Sequence, residues 1–270
     1  MPAKTSYVTK DVVTKAPLPQ HGDTYTVIPH AFVIDQTLKE LSSKGLRVKH
    51  EMYKTTRDGQ IAQGLYLLDA GDDKDMGMMF AWSNSYDKSM RFKCAIGAHV
   101  FVCLNGVISG DMATYSRKHT GTADEEAVLS IRSQITKAHE YYSKLTEQKD
   151  MLKNVSLSKR QQAEVIGRLF VERDIITMTQ LGIIKRELDN PSFEYDNDPN
   201  SAWSLYNHTT LALKESHPSD YLSDHQNLHS FFINEFGILV ANQPSVQPQF
   251  DFDALMPVEE PQESDTVLII

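Results

Sequence analysis

Long apolar runs are missing from this chain. No stretch of eighteen apolar residues occurs, which excludes a membrane-spanning helix of ordinary length. The opening Met1-Pro2-Ala3-Lys4 has no apolar signal core, so a cytoplasmic location is expected. Cysteine is scarce. Only Cys94 and Cys103 occur, and in a cytoplasm both are expected as reduced thiols. The familiar catalytic signatures are absent as well. There is no Walker A lysine loop, no G-x-G-x-x-G and no G-x-S-x-G. The expectation is therefore a non-enzymatic protein with no cofactor and no metal.

Positive charge is in short supply toward the end. Residues 1–120 hold 15 Lys/Arg against 12 Asp/Glu, residues 121–240 hold 12 against 18, and residues 241–270 hold none against 6. The net charge of −9 excludes a strongly basic nucleic-acid binder and leaves room for a local basic face in the first half.

What is present begins with alternation. In WSNSYDKSMRFKCAIGAHVFVCLNG, residues 82–106, a polar turn at Ser83, Asn84, Ser85 and Asp87 precedes apolar residues at every second position. These are Met90, Phe92, Cys94 and Ile96, then Val100 and Val102, with Gly97 between the runs and Asn105-Gly106 closing them. The pattern predicts a β-hairpin with one buried face. Upstream, Phe32 to Leu41 reads as a helix stopped by Gly45. Leu46 to Lys54 and Ile61 to Leu68 read as a hairpin turning at Asp58-Gly59, and Val107 to Tyr115 as a continuation of the sheet. Residues 1–22, with three prolines, read as an arm of little regular structure.

The period then changes. Thr122 with Glu125 suggests a capping box. Val128, Ile131, Ile135, Ala138, Tyr142, Leu145 and Leu152 recur at spacings of three and four, with Lys149 in the one missing place. That is a narrow stripe on one helix of about eight turns, suited to a helical partner or a second copy. Ser158 with Gln161 and Thr177 with Gln180 mark two further helix starts, the first with a stripe of Ala163, Ile166 and Phe170. Further helices are expected from about Ser201 to Glu215 and after Pro218. Residues 241–270 carry prolines and acids and cannot bury enough to fold. The fold class is thus α+β: a mostly antiparallel sheet over 23–120, a long helix and a helical half over 121–240, and a disordered acidic tail. Residues 23–240 are read as a single domain.

Four short motifs carry a family resemblance. Asn84-Ser85-Tyr86-Asp87-Lys88-Ser89 resembles an N-S-H-D-G-S turn. Residues 100–106, ending Cys103-Leu104-Asn105-Gly106, are similar to a V-C-x-N-G strand and turn. Tyr25 to Pro29 resembles Y-x-x-I-P, and Ser201 to Thr210, with Trp203, Tyr206 and Asn207, resembles an L-W-x-x-Y-N helix. In their order along the chain, over residues 24–216, they resemble the phage/plasmid-like protein family, a domain of unknown function found in phages, prophages and conjugative plasmids. The resemblance implies a mobile-element origin and a shared fold, with no established reaction. Tyr86 and Lys88 stand where the family pattern has His and Gly.

Three sets of side chains have ligand-like composition without a complete ligand pattern. Cys94, His99, Cys103 and His119 match no familiar zinc spacing and read as buried thiols in a sheet. His225 and His229 share a helix face without an acidic partner, and read as exposed or half-buried. Asp72, Asp73 and Asp75 lack a full calcium loop. The strand phase puts Arg47, Lys49 and Tyr53 on one polar face and Arg91 and Lys93 on another. If the two coincide, four cations and a ring form a surface for single-stranded DNA, with Tyr53 stacking a base. The tail alternates Phe250-Asp251-Phe252-Asp253, similar to the acidic tip of single-strand DNA-binding proteins, and would dock host or phage replication and recombination proteins. The alternative function is an interaction protein, a virion component or host-defence antagonist, with the 128–152 helix as an oligomer seam.

Overall fold

The computed structural model describes residues 5–20, 26–56, 58–103, 105–108, 115–117 and 122–238. The expectations for the acidic tail, including Phe250 to Asp253, and for His119 fall outside the described residues.

One antiparallel sheet organises the chain. Its strands are β1 (Thr5–Val8), β2 (Val48–Thr56), β3 (Ile61–Leu68), β4 (Met76–Ser85), β5 (Phe92–Val100), β6 (Gly106–Val107) and β7 (Tyr115–Arg117). They lie in the order β1-β2-β3-β4-β5-β6, and β7 also pairs with β5. The helices are α1 (Lys10–Thr14), α2 (His30–Ser43), α3 (Ala123–Thr136), α4 (Ala138–Lys153), α5 (Lys159–Gly167), α6 (Met178–Asp189), α7 (Ala202–Ala212) and α8 (Tyr221–Glu235). The fold is α+β, an N-terminal antiparallel sheet followed by helices. Among the described residues no helix is long and apolar enough to cross a membrane.

Both faces of the sheet are covered. On one, Tyr66, Phe80, Trp82, Phe92, Cys94 and Ile96 join the main core with residues of α2, α3, α4 and α7. On the other, Leu65, Leu67, Met79, Ala81 and Ala95 pack against Tyr221 and Leu222 of α8. This explains why β3, β4 and β5 are buried almost throughout, although their sequences alternate only in part.

Several expectations are corrected here. The first segment is not an irregular arm, because β1 pairs with β2 from Thr5↔Thr56 to Val8↔Tyr53 and α1 follows it. Ser83, Asn84 and Ser85 are not a turn but the buried end of β4, and the turn is residues 86–91. Gly97 does not break a hairpin. It lies inside β5, where a Cβ would come within 2.5 Å of the Val107 carbonyl oxygen. Thr122 makes no capping box; its hydroxyl donates to Glu126 Oε1 at 3.2 Å. The two boxes at Ser158 and Thr177 do form. In α5 it is Gln162, Val165 and Ile166 that turn inward, whereas Ala163 is exposed.

The eight-turn helix is two helices, interrupted at Lys137. Its stripe is no open seam. Ile131, Ile135, Ala138, Tyr142, Leu145 and Leu152 belong to the main core of this same chain. Polar residues Ser130, Gln134 and Gln148 are buried beside them, so the inward face is wider than its apolar letters suggest. Most of the 128–152 stripe is therefore buried within this chain, while Val128 is half-buried.

Candidate anion-binding row across the sheet

The five residues expected to form a basic, stacking face are not brought together. A register irregularity between Val48 and His50 inserts one residue into β2. An extra residue inverts the in–out phase of everything beyond it. Tyr53 therefore points into the main core, 3% exposed, with its hydroxyl donating to Glu51 Oε2 at 2.5 Å. Through the partners Tyr53↔Gly64↔Trp82↔Cys94 it lies on the face opposite Lys93. Tyr53 is no stacking platform. Arg47 precedes β2 and its guanidinium pairs with Asp69. Lys49, at the irregularity, and Arg91, just before β5, are exposed.

A different row does form. The partners Tyr7↔Lys54, Lys54↔Gln63, Gln63↔Ser83 and Ser83↔Lys93 put one side chain from each of five adjacent strands on one line and one face. With strands about 4.8 Å apart, Lys54 and Lys93 start some 14 Å from each other. Tyr7 at one end is 58% exposed, and Lys93 at the other is half-buried. The centre is deeply buried, with Gln63 1% and Ser83 0% exposed. Neither the Gln63 amide nor the Ser83 hydroxyl has a hydrogen-bond partner among the described residues. Buried groups of this kind ordinarily find partners, and each one left without costs about 1–3 kcal/mol.

The segment between α7 and α8 lies over this row. Lys54 Nζ donates to the carbonyl oxygens of Lys214 (2.9 Å) and Ser216 (2.7 Å). Lys93 Nζ donates to Ser223 Oγ (2.7 Å) and to the Ser219 carbonyl (3.3 Å). Burial lowers the pKa of both amines, opposed for Lys54 by Glu215 and for Lys93 by Asp220 and Asp224. Burial also pushes the Asp224 carboxyl up to about 6, although the Ser216 hydroxyl donates to it at 2.7 Å. Two amines, an amide and a hydroxyl all facing one strip can donate to an acceptor-rich ligand such as a phosphate. Sequence reasoning missed Lys54, Gln63 and Ser83, because only the inverted phase of β2 and the strand register align them.

The motif residues have other work. Asn84 Nδ2 donates to the Ile28 carbonyl (2.7 Å) and lies 3.0 Å from His30 Nδ1. The Tyr86 ring stacks on His30 at 3.8 Å, and its hydroxyl accepts the His30 backbone N–H at 2.6 Å. The Tyr25–Pro29 and Asn84–Ser89 motifs thus join the start of α2 to the end of β4. Asp87 accepts the Ser89 N–H at 2.9 Å across the turn. Lys88 has φ of 65°, the left-handed region where the family pattern's glycine is at ease.

The other two motifs bind the helical half to the sheet. Asn105 Nδ2 donates to the Asn207 carbonyl and to Thr210 Oγ1, both at 3.0 Å. The Cys103 carbonyl accepts from Lys214 Nζ. Gly106 sits where a Cβ would be 2.5 Å from the Tyr221 hydroxyl. Trp203 and Tyr206 stack at 5.5 Å, and Asn207 Nδ2 donates to the Trp203 carbonyl at 2.9 Å.

The ligand sets dissolve for equally local reasons. Cys94 faces the main core, while His99 lies in the opposite phase of β5. Both cysteines are free and buried. His225 and His229 are buried rather than exposed, and His229 meets Tyr206 and Gln148. Asp73 and Asp75 pair with Lys149 and Lys153. No group of three metal-ligating side chains occurs among the described residues.

No curated protein and no solved structure matches this chain. The family model "Domain of unknown function (DUF932)" matches residues 17–227, a span holding β2 to β7, every motif residue and four of the five row residues, and the chain belongs to that family.

Proposed function

We propose that this is a non-enzymatic, phage- or plasmid-encoded protein that binds single-stranded DNA through the Tyr7–Lys54–Gln63–Ser83–Lys93 row. The observation that carries the reading is the row itself. Two lysines spend their hydrogen bonds on backbone carbonyls and a hydroxyl, and the amide and hydroxyl between them have no partner. A phosphate backbone supplies the acceptors that such donors favour, and the exposed Tyr7 offers a ring on which a base can stack. Arg91, exposed just beyond Lys93, extends the strip. The segment spanning Lys214 to Ser219 must lift for a strand to reach the centre. Mobile-element origin rests on the motif resemblance. The tail stretch Phe250 to Asp253 is proposed to dock replication or recombination partners and to compete with DNA for the strip.

The test is a titration of an oligo-dT strand at low and high salt. Replacing both lysines (K54M with K93M) should reduce the salt dependence by roughly two counterions, a slope change of about 1.4 for a single strand. The K54R and K93R variants should keep it. Y7A should weaken binding by about 1–3 kcal/mol. Deleting residues 250–270 should strengthen it. Equal affinity and slope for all variants, each shown to be folded, would refute the reading. Phe101 and Val102, exposed at the β5–β6 turn, would then favour the interaction-protein alternative.

A further inference from the structure

Away from the row, residues of the 191–199 segment and of α7 line a half-open cavity of about 440 Å³. Its walls include the rings of Phe193 and Tyr195, tilted to each other at 6.0 Å. Ser204 and His208 of α7 complete the lining. The size and the two aromatic walls, with several polar side chains between them, suit a small-molecule site. His208 is 3% exposed and its Nδ1 has no hydrogen-bond partner among the described residues. Burial lowers the His208 pKa, only partly opposed by Glu187, so the ring stands neutral at pH 7. A neutral imidazole nitrogen can accept a hydrogen bond. Tyr195 meets the same imidazole edge-on at 5.3 Å.

The carboxylates that line this cavity are Glu194 and Asp196. Glu187 lies behind it, where it accepts from the Ser192 N–H (2.9 Å) and hydroxyl (2.8 Å). Lys153 lies 3.9 Å from Asp196 and is already 2.7 Å from Asp75. A phosphate or carboxylate ligand is repelled by such a rim. A flat cation is attracted by the carboxylates and by the ring faces.

We infer that the cavity between residues 191–199 and α7 is a binding site for an organic cation, an amidinium or guanidinium carried on an apolar body. This site is separate from the proposed DNA-binding strip and takes a ligand of the opposite charge, so either can fail without the other.

Isothermal titration of the full chain with benzamidine tests it, with benzamide and benzoate as neutral and anionic isosteres. Saturable one-to-one binding of benzamidine in the millimolar range or tighter is expected, with benzamide at least tenfold weaker and benzoate without measurable heat. E194Q, at an exposed position, should weaken benzamidine about three- to fivefold. F193A, at a half-buried wall, should weaken it about tenfold or more. H208F, if it folds, should weaken benzamidine more than benzamide. No saturable benzamidine binding would overturn the inference. So would equal binding of all three probes, or binding untouched by both E194Q and F193A.

Discussion

Lys149 sits in the apolar stripe of α4, and replacing it by methionine tests how the stripe is held. Its side chain is 2% exposed, with Nζ 2.5 Å from Asp73 and 3.2 Å from Asp75. The Asp73 carboxylate is itself 9% exposed, and its other oxygen accepts the N–H groups of Asp75 (2.8 Å) and Met76 (2.9 Å). The ammonium therefore ties α4 to the loop that feeds β4. Lys149→Met keeps the length of the side chain and removes the charge, which leaves a buried carboxylate unpaired. Breaking a buried pair from one side costs about 3–5 kcal/mol. For a unit of this size that is a fall in Tm of about 6–20 °C.

The pH dependence is fixed by sign. Burial works against the Lys149 charge, but bonds from Asp73, Asp150 and Asp75 outweigh it and raise its pKa. This contribution is present below the unfolded lysine value of about 10.4 and is lost as pH rises through the folded one. Burial likewise opposes the Asp75 charge, but bonds from Lys153 and Lys149 hold its pKa down. That contribution is present above the unfolded value of about 3.9 and is lost as pH falls. Urea denaturation of wild type and variant should show a gap that is widest between these limits and closes toward both. Adding Asp73→Asn should restore at least 1–2 kcal/mol, because the orphaned charge goes with it. A loss below about 1 kcal/mol for K149M, the range of exposed pairs, would refute the reasoning.

Gly97→Ala should cost about 1–3 kcal/mol, read as a lowered Tm, because the new methyl meets the Val107 carbonyl at 2.5 Å and backbone yields little. Asp224→Asn should flatten part of the pH profile. With the folded carboxyl raised to about 6, its contribution to stability declines as pH rises from about 4 to 6, and the variant-minus-wild-type difference across that window measures it. Cys94 and Cys103 should resist a thiol reagent until the chain unfolds, since both are buried and burial pushes the Cys103 thiol up to about 11 and that of Cys94 higher still. Rapid labelling of either in native buffer would contradict that burial.

Local chemistry written in neighbouring residues was legible without coordinates. Ser158 with Gln161 and Thr177 with Gln180 formed their capping boxes, Gly45 closed α2 with φ of 70°, and β3 ran over Ile61 to Leu68, the residues read as a strand after the Asp58-Gly59 turn. Each depends on contacts within a few positions, so sequence spacing alone determines it. The α+β order was readable for the same reason, since the period changes from two to about 3.6 near residue 122. What needed the tertiary structure was everything a single inserted residue or a distant partner decides. The irregularity between Val48 and His50 leaves no mark in composition, yet it sends Tyr53 inward and aligns Tyr7, Lys54, Gln63, Ser83 and Lys93 across five strands. Lys149 looked like a gap in a stripe until Asp73, 76 positions away, closed on it. The stripe itself read as a narrow seam for a helix or a second copy, and most of it lies in the core of this same chain. Alternation tells a strand that it has two faces, but only the register with its neighbours and the helices packed on them decide which face is buried.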